Sequence, residues 1–67
     1  MSYDSVFDTS DPNNIYMGQS ATRIPTSYAG WQIQRVHING TTIDIKFAEG
    51  STEFDKIWDD RAGYTYQ

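Results

Sequence analysis

The chain lacks the residues that small domains most often use to stabilise themselves. It contains no cysteine, which excludes disulfides and every thiolate metal site. A single histidine, His37, excludes a zinc site built on several imidazoles. A domain of 67 residues buries only about 60% of the surface that its unfolded chain exposes, so its stability is marginal. Since disulfides, thiolate metal sites and imidazole-rich zinc sites are excluded, we expect association with a partner to supply the missing stability.

Basic residues and long apolar runs are also scarce. Nine acidic side chains against five basic ones give a net charge of −4. This balance argues against binding to nucleic acid and against binding to an anionic membrane surface. No apolar run approaches the roughly 20 residues of a transmembrane helix, and the N-terminus lacks the basic start and apolar core of a signal peptide. We expect a protein made and kept in a cytoplasm, or carried within an assembly built there, with no nucleic-acid partner and no membrane partner.

The dipeptide Asn39-Gly40 predicts a β-hairpin with a two-residue loop, because both residues tolerate positive φ. The strands are expected at residues 31–38 and 41–48. In that register Val36 faces Ile43, and Arg35 faces Asp44. One side of the hairpin then carries five apolar residues and is expected to face the core: Val36, Ile38, Ile43, Ile45 and Phe47.

The residues after the hairpin predict one short helix at 52–59 and then a short C-terminal strand at 64–66. Ser51 or Thr52 can cap the helix. Phe54, Ile57 and Trp58 recur at helical spacing, and we expect them to be the most buried residues of the C-terminal half, packed on the apolar side of the hairpin. The expected fold class is a small α+β, mostly β, domain.

Residues 1–30 are expected to form an extended N-terminal arm, apart from a small core at 31–67. The arm holds both prolines and a turn signal at residues 11–14. A segment of this length with so little regular pattern does not suit a compact monomer. It suits an arm that orders against another surface, or a disordered tail. Its aromatic anchors favour the arm.

Aromatic residues are abundant, at 15% of the chain. Large rings are favoured at interface hot spots, although a very small core also needs large residues. We favour a core position for Trp58. Arg61 is expected to compensate Asp59, Asp60 or the helix dipole, and the functional alternative is a bidentate contact to a carboxylate of a neighbouring subunit. The expected partner-binding residues are Tyr3, Phe7, Tyr16, Tyr28, Trp31, Arg61, Tyr64 and Tyr66.

No pattern in the chain indicates catalysis, a cofactor or a metal. Asp55 and Asp59 would share a helix face with room for a divalent cation, but the spacing of a calcium-binding loop is missing, and a solvated or salt-bridged face is the alternative. His37 sits beside a tight turn, with no elements around it that would form a cleft. We therefore expect no catalytic, cofactor-binding or metal-binding residue, and the chain is not expected to be an enzyme.

Two stretches of the sequence resemble a known group of proteins. The stretch from Phe54 to Tyr66 reads FDKIWDDRAGYTY. It resembles the end of short proteins encoded in the structural gene clusters of tailed bacteriophages, which finish with a phrase like FDxxWDxRxxxxY. The run from Ala21 to Arg35 resembles their TSxxxWxIxR stretch. Residues 1–14 have no counterpart in this resemblance.

The resemblance implies a small virion protein present in many copies on the capsid, at the head–tail junction or on the tail. The leading interpretation is a non-enzymatic virion structural protein, an accessory, decoration or fibre-attachment subunit. Its expected partners are other virion proteins and copies of itself, and its expected location is the virion. The alternative is a soluble acidic phage-encoded inhibitor that occupies the basic groove of a nucleic-acid-binding host protein. Scattered acids and abundant aromatics favour the first interpretation.

Overall fold

The computed structural model describes residues 4–21 and 23–67. Within these residues the chain forms five strands followed by a 3-10 helix. The elements are β1 Asp4–Asp11, β2 Asn14–Ser20, β3 Ala29–Asn39, β4 Thr42–Phe47, β5 Lys56–Ile57 and the 3-10 helix Trp58–Gly63. Tyr66 adds a bridge to Ala48. The expected class, mostly β with one short helical segment and a C-terminal strand, is confirmed.

The strands form one antiparallel sheet in the order β1-β2-β3-β4, and β5 pairs with the start of β3. All seven residues of β2 pair with β3. The turn between β1 and β2 is closed by Asp11, whose carboxylate accepts the Asn13 backbone N–H at 2.9 Å and the Asn14 side-chain amide at 3.0 Å. The expected arm is therefore extended, but its residues 4–20 belong to the same sheet as the hairpin at 31–48.

The loop between β3 and β4 has two residues, as expected, but they are Gly40 and Thr41. Asn39 pairs with Thr42, and Gly40 has a φ of 63°. A glycine with positive φ at the first central position is typical of a type II′ turn, whereas the prediction placed Asn39 there. The predicted pairs are wrong by two residues.

The observed pairs on this hairpin follow from the shifted loop. Val36 faces Ile45 rather than Ile43, and Arg35 faces Lys46 rather than Asp44. Because side chains alternate along a strand, a shift of two residues leaves every side chain on the side of the sheet where it was predicted.

The prediction of which side of the hairpin forms the core is wrong. Trp31 and Ile33 are the buried residues of β3, at 2% and 0% exposure, and Trp58 and Tyr66 cover them. Ile43 and Ile45, expected in the core, are 61% and 59% exposed. A tryptophan side chain buries more area than an aliphatic side chain. The Trp58 ring packs on the side where Gly18 of β2 has no side chain.

The predicted helix at 52–59 is also wrong. Residues 56–57 form β5, and the 3-10 helix begins only at Trp58, since pairing with β3 holds the preceding backbone in the extended conformation. The burial of Trp58 is confirmed, at 7% exposure, whereas Phe54 is exposed and Ile57 is half-buried.

Candidate functional site

One side of the sheet, called here the outer face, points away from Trp31 and Ile33. Successive side chains of a strand point to opposite sides, so the strand register defines the membership of this face. Ile15, Val36 and Ile45 form one row across three strands. Eight apolar residues lie on the outer face: Phe7, Ile15, Met17, Val36, Ile38, Ile43, Ile45 and Phe47.

The outer face is open to solvent at both of its edges. Phe7 of β1 is 66% exposed, and Ile43 and Ile45 of β4 are exposed to a similar degree. The apolar residues of the two central strands are half-buried. At one end of the face Gln32 donates to the Thr52 carbonyl oxygen at 2.8 Å, which places the segment around Thr52 beside the glutamine. A contiguous apolar patch of this kind is characteristic of an interaction surface.

The outer face carries no charged side chain among the described strand residues. The charged residues of the four long strands all project from the opposite side, namely Asp4, Asp8, Asp11, Arg35, Asp44 and Lys46. The polar members of the outer face are uncharged, Gln19, Gln32 and Gln34 among them. The outer face therefore offers apolar contact rather than charge to its surroundings.

The inner side of the sheet holds an ion pair between the 3-10 helix and β1. Arg61 donates to one Asp8 carboxylate oxygen from Nε at 3.0 Å and from Nη2 at 2.9 Å. Its Nη1 donates to the Trp58 carbonyl oxygen at 3.1 Å, and the guanidinium lies 4.7 Å from the Trp58 ring centre. Arg61 thus pairs within the chain through two nitrogens on one oxygen, and the carboxylate is Asp8 rather than Asp59 or Asp60. A contact of Arg61 with a neighbouring subunit stays a prediction.

The hydrogen bonds around Asp8 favour its charged form. The Ser10 hydroxyl and backbone N–H donate to the other carboxylate oxygen at 2.7 Å and 3.0 Å. Together with Arg61 they lower the pKa of Asp8 to about 2. The carboxylate therefore stays ionised at any pH near neutrality and fastens β1 to the 3-10 helix.

Tyr66 closes the inner side of the sheet near its middle. Its hydroxyl donates to the Arg61 carbonyl oxygen at 2.6 Å, and its ring lies 5.7 Å from that of Tyr16. The Arg35 guanidinium lies 4.9 Å from the Tyr66 ring centre. Burial raises the pKa of Tyr66 well above the usual tyrosine value, so the phenol is neutral.

The structure separates the seven described partner-binding candidates into three groups by burial. Trp31 and Tyr66 lie in the core, whereas Phe7 and Tyr28 are exposed. The others are half-buried and make contacts within the chain: Tyr16, Arg61 and Tyr64. Tyr3 lies outside the described residues. Their contact with a partner stays a prediction, and among the described members of this set Phe7 lies on the outer face.

Sequence reasoning missed the outer face because it assigned these residues to the core. The signal that identifies the correct side is the size of the rings. Trp31 and Ile33 alternate with Gln32 and Gln34 at the start of β3, so the side bearing the indole is the buried one.

The titratable side chains that the sequence singled out lie in separate places among the described residues. A cavity of about 490 Å³ is lined by Asp59, Asp60, Ala62, Gly63 and Tyr64, which offer two carboxylates and a phenol. His37 lies elsewhere, with Nδ1 at 2.8 Å from the Asn14 side-chain oxygen. In residues 4–21 and 23–67 no three histidine or carboxylate side chains gather as metal ligands would, and no helix there is long and apolar enough to cross a membrane.

Comparison with known proteins leaves the outer face as the main guide to function. No protein-family model matches the chain, and neither a curated protein nor a solved structure matches it.

Proposed function

We propose that this protein is a non-enzymatic structural subunit of a phage virion, an accessory, decoration, head–tail or fibre-attachment protein. It docks on neighbouring virion proteins through the outer face. The observation that carries the proposal is the exposed, uncharged apolar surface that four strands present together.

The free energy gained by covering the outer face supports docking. Fully burying an isoleucine or phenylalanine side chain contributes about 1.5–3 kcal/mol. Phe7, Ile43 and Ile45 keep more than half of their surface exposed in the isolated chain, and a partner supplies the cover. For a domain whose own stability is marginal, such a contribution is a large fraction of the total.

The outer face is preformed, which favours tight docking. Hydrogen bonds between strands fix the backbone beneath it, and the inner side is held by the Trp31–Trp58 contact, with ring centres 6.3 Å apart. Binding then immobilises few side chains and no long segment. Affinity from this surface does not depend on coupled folding of the N-terminal residues.

Quantitative mass spectrometry of purified particles tests the proposal. The particles come from the phage whose structural genes encode this chain, and we expect the chain in many copies per particle. In a complementation experiment, Ile45→Lys is expected to lose incorporation, because it places a charge in an apolar interface. Thr42→Lys, on the same strand but the opposite side, is expected to be incorporated normally.

Two results would contradict the proposal. One is the absence of the chain from purified particles. The other is salt-sensitive binding to a basic nucleic-acid-binding host protein that Ile45→Lys leaves intact, which would instead support the acidic inhibitor.

A further inference from the structure

We infer that the outer face is covered by the outer face of a second copy of this chain, forming a face-to-face dimer of two sheets. The inference rests on the proposed function of the outer face as a docking surface, and it names the occupant.

The distribution of charge favours a second copy as the occupant. With a net charge of −4, two copies repel each other wherever their acids meet. The charged residues of the paired strands, such as Asp8 and Asp44, lie on the inner side, so the outer face is the surface on which two copies meet without opposing carboxylates. A surface evolved to dock on a basic partner would instead carry acids.

The geometry of the sheet also favours another sheet. A β-sheet with apolar residues on both sides is stable when each side is covered by a packed layer. The 3-10 helix and the C-terminal residues cover the inner side. Two sheets pack about 10 Å apart with interdigitating side chains, and rows such as Ile15–Val36–Ile45 supply such side chains from each copy.

The area of the outer face suits a modest dimer. Four strands about 4.8 Å apart, and seven residues of β3 at about 3.3 Å each, give a face of about 19 by 23 Å. Two such faces together bury about 900 Å² if each is treated as a flat rectangle. The protruding side chains make the true accessible area larger. A biological interface needs about 1,000 Å². The contact therefore lies at the lower limit for a specific interface, which is the size expected of a weak, reversible dimer.

A two-fold axis would run through the middle of the outer face. An isologous dimer places the same residue of both copies next to the axis. Gln34 lies on a central strand between Met17 of β2 and Phe47 of β4, near that position. Because the chain has no cysteine, a single Gln34→Cys substitution reports directly on this proximity.

Sedimentation velocity of the purified full-length chain over a wide concentration range tests the inference. We expect a monomer–dimer equilibrium, weakened on the order of tenfold or more by Ile43→Lys or Ile45→Lys, which corresponds to at least about 1.4 kcal/mol. Thr42→Lys adds the same charge to the opposite side of β4 and is expected to dimerise like the wild type. Both isoleucines are exposed, and circular dichroism checks that the variants fold.

Disulfide formation supplies a second readout. Under mild oxidation Gln34→Cys is expected to form a disulfide-linked dimer rapidly. The control Thr65→Cys, at an exposed position near the C-terminus, is expected to form one slowly.

The outcomes separate the inference from the proposed function. A wild-type monomer at every concentration, or a dimer that Ile43→Lys and Ile45→Lys leave unchanged, overturns the inference. If such a monomer is nevertheless incorporated into particles, and Ile45→Lys abolishes incorporation, the proposed function stands with a different occupant. A dimer sensitive to both substitutions, from a chain absent from particles, supports the inference and contradicts the proposed function.

Discussion

Gly18 lies directly beneath the ring of Trp58. A β-carbon at position 18 would stand 2.6 Å from Cε3 and 2.8 Å from Cζ3 of the indole, closer than nonbonded carbons approach. Gly18 pairs with Ile33 in the middle of the sheet. The indole can therefore pack on β2 because Gly18 has no side chain. This contact joins the 3-10 helix to residues that were predicted to form a separate arm.

Substitution at Gly18 tests this contact. Gly18→Ala is expected to destabilise the fold by about 1–3 kcal/mol, because the indole or the strand must shift to admit the methyl group. Gly63→Ala is the matched control, since a β-carbon there meets nothing within 4 Å. The midpoint of urea unfolding measures both. Equal midpoints for the two variants would show that the Trp58 ring does not rest on Gly18.

Removal of the Trp58 ring is expected to cost about 3–5 kcal/mol, a large part of the stability of a domain of this size. Phe54→Ala is expected to cost much less, because Phe54 is 38% exposed. Thermal unfolding of the two variants distinguishes a core dominated by Trp58 from the predicted core in which Phe54, Ile57 and Trp58 are buried together. A loss for Phe54→Ala as large as that for Trp58→Ala would contradict the observed core.

The Asp8–Arg61 pair predicts a loss of stability in acid. Because the pKa of Asp8 is lowered to about 2 in the folded chain from the ordinary 3.8, the unfolded chain takes up the proton first as the pH falls. The contribution is complete above about pH 4 and disappears between pH 4 and pH 2. Asp8→Asn is expected to be less stable at neutral pH and to lose less stability in that interval. Parallel pH profiles for both proteins would contradict the assignment.

Hydrogen exchange distinguishes the observed sheet from a free N-terminal arm. Strand β2 lies between β1 and β3, so its backbone N–H groups are hydrogen-bonded alternately to one neighbouring strand and to the other. In dilute monomer we expect β2 to exchange as slowly as the central residues of β3. Rapid exchange of residues 14–20 beside a protected β3 would restore the arm that the sequence predicted.

The sequence predicted the hairpin at residues 31–48 but not its core side. Turn chemistry is local, so Asn39 and Gly40 locate the reversal to within one residue. The core side depends on distant contacts, because the hairpin bears apolar residues on both sides, Trp31 and Ile33 on one and Val36 and Ile38 on the other. Gly18 and Trp58 decide between them, and neither lies in the hairpin.

The outer face was missed for the same reason, although Gln32 and Gln34, which alternate with Trp31 and Ile33, gave a local signal of the correct side. Its residues are those of an ordinary core strand, and only the occupation of the opposite side by Trp58 and Tyr66 leaves Ile43 and Ile45 exposed. The hairpin of β1 and β2 had a local signal in the Asp11–Asn14 turn, but β1 carries only two apolar residues, Val6 and Phe7, which are too few to indicate a strand.

The most direct test of the central claim, that a second copy covers the outer face, is the accessibility of single methyl groups. Methyl NMR with a soluble paramagnetic agent reports the exposure of Ile43, Ile45 and, as an internal control, buried Ile33. The account predicts strong broadening of Ile43 and Ile45 in dilute protein, protection approaching that of Ile33 in concentrated protein, and no such protection in Gln34→Lys. Equal broadening of Ile43 and Ile45 at every concentration would contradict it.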